Sequence, residues 1–385
     1  MNKNDRVYVN CGNYHLGDDG PNAFEQRSIA NLTKAGLGHT QYILREAEHV
    51  ARAQADGFGY GVDPFNQVKE DGKGYQGYLD TVGGFVYADK ACRYALHLAQ
   101  ELGVRFILDP QRGHFDRFHH ETDEPTSNTV QGIVTADGQI HKATLTIVAC
   151  GGWSPSVLPE LDGLCETTAG SVATIQIPHD KPHLRQRFAP ENFPVWQYKV
   201  HAGADGNLYG FPVDEQGLMK LGYRGRKYTN PQTQATGAVR SVPITRWTSP
   251  AAITGLPEKS EQVIRGFLDT YLPELREQGL GLTGTRLCWY TDSFDNQFVI
   301  DAVPEKNGVM IATGGSGHAF KFLPVLGRFV ARRVEGRAET AEERELLQRW
   351  QWRALKHGEK PYNEIMKGLE DPNALQRVHM VYQSL

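Results

Sequence analysis

No apolar run in the 385 residues approaches the ~20 needed for a bilayer-spanning helix. The opening MNKNDRVYVNCGNYHLGDD lacks the apolar h-region of a secretory signal. Lys and Arg number 41 against 45 Asp and Glu, a formal charge of −4, so no cationic excess exists to hold a nucleic acid or an anionic membrane. The five cysteines (Cys11, Cys92, Cys150, Cys165, Cys288) are odd in number and scattered, with no C-x-x-C pair. That argues against both a disulfide framework and a zinc site, and it suits a reducing compartment. No H-E-x-x-H, no P-loop, no internal repeat and no low-complexity block occurs. GGSGHA is not a G-x-S-x-G nucleophile elbow, because His318 follows Gly317. His119-His120 read as a solvated pair in a polar, acidic loop rather than as metal ligands. The closing YQSL is not the S-K-L peroxisomal address; the expectation is a cytoplasmic location, with a peroxisomal one as the alternative, and a monomer with no nucleic-acid or membrane partner.

What is present is an alternation of two textures. The chain is 39% hydrophobic and 22% charged, and its length allows a sizeable core and two domains. Residues 1–80 are rich in Gly, Asp and Asn, with one helix expected over Thr40–Ala55. GGFVYADKACRYALHLAQELGVRFIL then reads as a short strand, an amphipathic helix carrying Ala91, Tyr94, Ala95, Leu98 and Ala99, and a strand Val104–Leu108. DGQIHKATLTIVACGGWSPSV follows as a hairpin strand, a buried strand Leu145–Ala149, a Gly-Gly turn and a helix. Between 165 and 285, short strands separated by Gly, Pro and Asp turns predict an antiparallel sheet, with a helix over Ser260–Leu275. The expected fold class is α/β (α+β): a sheet-and-helix cofactor domain, 81–164 and 286–340, interrupted by an antiparallel substrate domain, 165–285. Residues 1–80 associate with the substrate domain, and 341–385 form a helical tail.

The Gly-rich turns differ in worth. Gly279-Leu280-Gly281-Leu282-Thr283-Gly284 is a literal G-x-G-x-x-G, but a helix precedes it and a strand follows, the reverse of what phosphate binding at a helix N-terminus requires. It reads as a loop. GVMIATGGSGHAFKFLPVLGRFV has the right order: a strand, then Gly314, Gly315, Ser316, Gly317 and His318, then a helix with Phe320, Leu323, Leu326 and Val330 inside. Gly151-Gly152 has the same form. Each is either a tight turn with no ligand or a place where a ligand approaches the backbone, and their pairing favours one shared cofactor. In GLMKLGYRGRK, strand alternation puts Leu218, Lys220, Gly222 and Arg224 on one face and Met219, Leu221 and Tyr223 on the other. The cationic face meets either open solvent or an anion-binding cavity. Cys288, beside Trp289 and Tyr290, is by position alone a small apolar core residue.

LMKLGYRG, LCWYTDSFDNQFVID and GGSGHAFKFLP, in this order and spacing, resemble the flavoenzymes related to monomeric sarcosine oxidase, with the fructosyl amino acid oxidases (amadoriases) and the pipecolate and saccharopine oxidases. The resemblance runs from Gly77 to Gly336. It implies a fold of the glutathione-reductase type with FAD as cofactor, bonded through Cys288. It implies oxidation of a secondary amine by O₂ with release of H₂O₂. It places Lys220 beside the flavin for reaction with oxygen, Lys321 at the substrate carboxylate, Tyr290 in the cavity wall, and the Gly151-Gly152 and Gly314–His318 turns around the cofactor. Arg224 stands where sarcosine oxidases carry histidine and amadoriases a sugar-holding glutamate, which points to an anionic substrate group rather than a fructosyl one, with simple charge compensation as the alternative. The family's opening strand–G-x-G-x-x-G–helix unit has no counterpart here. The expectation is therefore an N-terminally truncated fold, with a non-catalytic relative that binds no FAD as the alternative to an oxidase.

Overall fold

The computed structural model describes residues 6–17, 20–68, 77–120, 128–201, 203–249 and 254–382. In chain order the elements used below are β1 (Asn13–Leu16), α1 (Ala23–Lys34), β2 (Gln41–Ile43), α2 (Ala47–Ala55), β3 (Tyr78–Asp80) and α3 (Ala88–Glu101). They continue with β4 (Phe115–His120), β5 (Val130–Thr135), β6 (Ile140–Lys142), β7 (Thr146–Val148), β8 (Cys165–Gln176), β9 (Val195–Tyr198), β10 (Leu208–Gly210) and β11 (Leu218–Tyr228). The last are α4 (Glu258–Tyr271), β12 (Gly284–Ser293), β13 (Val299–Ala302), β14 (Val309–Thr313), α5 (Leu323–Glu335) and α6 (Ala341–Arg349).

An eight-stranded sheet, in the order β12-β8-β11-β10-β9-β1-β3-β2, carries the molecule. Its pairs are antiparallel except β9 with β1. Period-2 alternation gives the sheet two unlike faces. On one, Met219, Leu221 and Tyr223 are fully buried and join Ile264 and Phe267 of α4 in the main core. Trp196 of β9 stacks on Phe267 at 4.3 Å, and it can lie flat across β10 only because its partner there is Gly210. The other face carries Lys220, Gly222 and Arg224. Beside this sheet stand a three-stranded sheet, β13-β14-β7, with β14 and β7 parallel, and a second three-stranded sheet, β4-β5-β6.

Several elements depart from the sequence expectation. Thr40–Ala55 is not one helix: Gln41–Ile43 pair with β3, and the helix starts at Ala47. The helix expected over Ser260–Leu275 runs Glu258–Tyr271, because Pro273 excludes a helical Leu272. His119 and His120 end strand β4 rather than lying in a loop. Val104–Leu108 is not a strand. Among the described residues no edge pairs with it, and Val104, Phe106, Ile107 and Leu108 are exposed. Of the apolar positions in α3 only Ala91 is buried. Inside α5 the inward residues are Leu326, Phe329 and Val330, whereas Leu323 is exposed and Phe320, in the turn before the helix, is exposed rather than packed in the core.

Candidate functional site

β12 places Cys288, Tyr290 and Asp292 two residues apart, hence on one face. Across the ladder in β8 stand Gly170 opposite Cys288, Thr168 opposite Tyr290 and Glu166 opposite Asp292. The glycine leaves the space over the thiol open. Here the sheet, the 149–152 turn and the 312–320 segment enclose a cavity of about 470 Å³. Of the residues expected at the site, Gly151, Gly152, Arg224, Cys288, Tyr290, Gly315 and Gly317 line it. Lys220, Gly314, Ser316, His318 and Lys321 stand around it without forming its wall. A larger cavity, about 790 Å³ between α1 and the 295–297 turn, contains none of these groups.

Both Gly-rich turns are pinned to the sheet. Gly151 O accepts from the Thr291 hydroxyl and Gly152 O from that of Thr167. Ser316 N–H donates to Thr291 O at 2.8 Å, and Ser293 N–H donates to Ser316 Oγ at 3.3 Å. Gly314 and Gly317 have φ of 72° and 69°, where a side chain is strained, and a Cβ on Gly317 would lie 2.3 Å from the Arg224 guanidinium. His318 stacks on Phe298 at 5.2 Å with Nδ1 3.2 Å from Ser316 O, and burial lowers its pKa.

The charge at the site is unbalanced. Arg224 donates to Ser316 O at 2.9 Å and Gly317 O at 3.2 Å, with its guanidinium over the Tyr290 ring at 5.1 Å. Its Nε and the Tyr290 hydroxyl are buried without a hydrogen-bond partner, the contact being made through the ring face. Burial opposes the Arg224 charge, but Tyr290 and Asp292 more than offset it and hold the pKa above the ordinary value. Lys220 sits 5.5 Å from the Phe211 ring, its pKa lowered by burial and by Arg286. Lys321 is lowered by burial and by Arg224. Among the described residues none of the three has a carboxylate partner, and no Asp or Glu lines the cavity.

Sequence reasoning missed two features. Tyr209 lies in the cavity wall across Gly222, where a Cβ would meet its ring at 2.1 Å. Asp292, fully buried, accepts from Thr168 Oγ1 at 2.6 Å and pairs with Lys227 at 2.8 Å, both through Oδ2. Its position two residues after Tyr290 was the available signal.

The site suits a flavin: a thiol under open space, two turns free of side chains, and unpaired donors and cations for ring carbonyls that gain negative charge on reduction. A family model described as FAD dependent oxidoreductase matches residues 3–333, and the chain belongs to that family. The L-saccharopine oxidase of Schizosaccharomyces pombe is 32% identical over 355 residues, which are 90% of this chain and 75% of the relative. The N-methyl-L-tryptophan oxidase of Citrobacter koseri is 27% identical over 268 residues, 69% of this chain and 60% of that one. The structure of fructosyl peptide oxidase from E. terrenum superposes with a TM-score of 0.72 at 27% identity, covering 90% of this chain and 74% of that one. By its family the chain is an FAD-dependent oxidoreductase, and the relatives it matches are named as oxidases of L-saccharopine, N-methyl-L-tryptophan and fructosyl peptides. No helix among the described residues is long and apolar enough to cross a membrane.

Proposed function

We propose that this chain oxidises a secondary amine or N-substituted amino acid bearing a carboxylate, with FAD bonded to Cys288. The observation that carries this reading is the set of unpaired cations, Lys220, Arg224 and Lys321, around a cavity with no acidic lining. FAD bonded there would supply the redox chemistry: it would accept a hydride equivalent from the C–H beside the amine nitrogen, leaving an imine once the N–H proton departs, and two electrons and two protons would then reach O₂ as H₂O₂. The residues supply the rest. Arg224 and Lys321 bind the carboxylate, with the Arg224 fork preset by its two backbone carbonyls. The same positive field disfavours an ammonium, so the amine reacts in its neutral form, with its lone pair free. Lys220, half-buried beside Cys288, faces the negative charge that develops on reduced oxygen. Tyr290 shapes the wall, and Gly151, Gly152, Gly314, Gly315 and Gly317, with Ser316 and His318, let the ring approach the backbone. A cytoplasmic monomer is our working assignment.

The test is acid precipitation of the purified chain. Yellow colour should stay with the pellet, and a colourless protein after incubation with FAD would reject the reading. Sarcosine, L-pipecolate, L-saccharopine and fructosyl-valine, compared by H₂O₂ release, then test the substrate class. All four carry a carboxylate, so the anionic preference is tested by sarcosinamide beside sarcosine: equal H₂O₂ release from the uncharged amide would refute it.

A further inference from the structure

We propose that Asp292 is a positioning residue for substrate charge: the counter-charge that moderates how strongly Arg224 holds an anion. This rests on the reading above. Strand alternation puts Asp292 directly behind Tyr290 on the cavity side of β12, and its carboxylate is fully excluded from solvent. A buried carboxylate persists as an ion only when paired. Asp292 is paired on one oxygen alone: Oδ2 takes Thr168 Oγ1 and Lys227 Nζ, while Oδ1 has no partner. Tyr290 precedes Asp292 by two residues on the same strand face and carries the Arg224 guanidinium over its ring at 5.1 Å, and Asp292 helps to raise the pKa of both groups. Lys227 takes the one carboxylate directly, and Arg224, on the same strand, feels it only through space, so its charge is moderated but not paired.

Asp292 is not needed to aim Arg224, whose terminal nitrogens are fixed by Ser316 O and Gly317 O. Its remaining effect is on the field in the cavity. The plainer alternative is that Asp292 only neutralises Lys227. Both accounts predict some loss of stability in Asp292→Asn, but only the first predicts an effect selective for ligand charge and of opposite sign in Lys227→Met.

The experiment measures equilibrium binding of benzoate and of benzamide to the flavin-loaded protein by calorimetry, in wild type, D292N, K227M and the double variant. For a charge roughly 10 Å away at an effective dielectric constant of about 20, the change is on the order of tenfold. D292N should bind benzoate about tenfold tighter, K227M about tenfold weaker, and the double variant near wild type, with benzamide within about twofold throughout. Should D292N not fold, recovery of benzoate binding from K227M to the double variant carries the same test. Equal shifts for benzoate and benzamide, or loss in both single variants, would overturn the role of Asp292. Failure of wild type to bind benzoate at all would instead reject the anionic-substrate reading, and this inference with it.

Discussion

Glu166 gives the sharpest stability prediction. It faces Asp292 across the β8–β12 ladder, is 5% exposed, and accepts the Met366 N–H at 2.8 Å. Burial, aided by Asp371 and Asp292 and opposed by the Met366 N–H and Lys367, pushes its carboxyl from 4.5 up to about 7. The folded protein therefore holds this proton more tightly than the unfolded chain. The group's contribution is fully present below 4.5 and is lost as pH rises through about 7. At about 1.4 kcal/mol per unit, the interval amounts to ~3 kcal/mol above neutrality, an upper bound. Glu166→Gln keeps a carbonyl acceptor for Met366 and removes the charge. Urea unfolding near pH 5 should show little difference from wild type. Near pH 8.5 the variant should be more stable by up to ~3 kcal/mol, with an unchanged m-value. A stability difference that does not vary with pH, or a variant less stable than wild type at the alkaline end, would refute the reasoning.

Cys288→Ala should leave any flavin in the supernatant after acid precipitation, while the loaded variant still shows a flavin spectrum before acid. Lys220→Met should slow reoxidation of the reduced protein by O₂ at least ~tenfold, with anaerobic reduction by substrate largely preserved, as stopped-flow absorbance would show. Gly222→Ala forces a methyl to 2.1 Å from the Tyr209 ring and should cost ~1–3 kcal/mol in urea unfolding. Tyr209→Ala in the same chain should recover most of that loss; no recovery would mean the contact is not the cause.

Wherever period-2 alternation alone decides which way a residue points, the amino-acid order is sufficient. Alternation separates Lys220 and Arg224 from Met219, Leu221 and Tyr223, and the same rule applied to β12 puts Asp292 on the face of Tyr290. It fails where the answer depends on a partner distant in sequence. Gln41–Ile43 is a strand because Tyr78–Asp80 offers it an edge, and Val104–Leu108, with stronger apolar character, is not, since no described strand lies alongside. The charge balance is illegible for the same reason. Lys220 and Arg224 share a face by alternation and Lys227 has the opposite parity, yet the register shift between Ala169 and Ser171 breaks the alternation and Lys227 alone meets a carboxylate, on a strand far along the chain, while Arg224 ends on the carbonyls of a turn beyond that strand. Alternation identifies the cationic face. Only the pairing of β11, β8 and β12 decides which of its cations remains uncompensated, and an uncompensated buried cation is what separates an anion-binding cavity from an ordinary ion-paired wall.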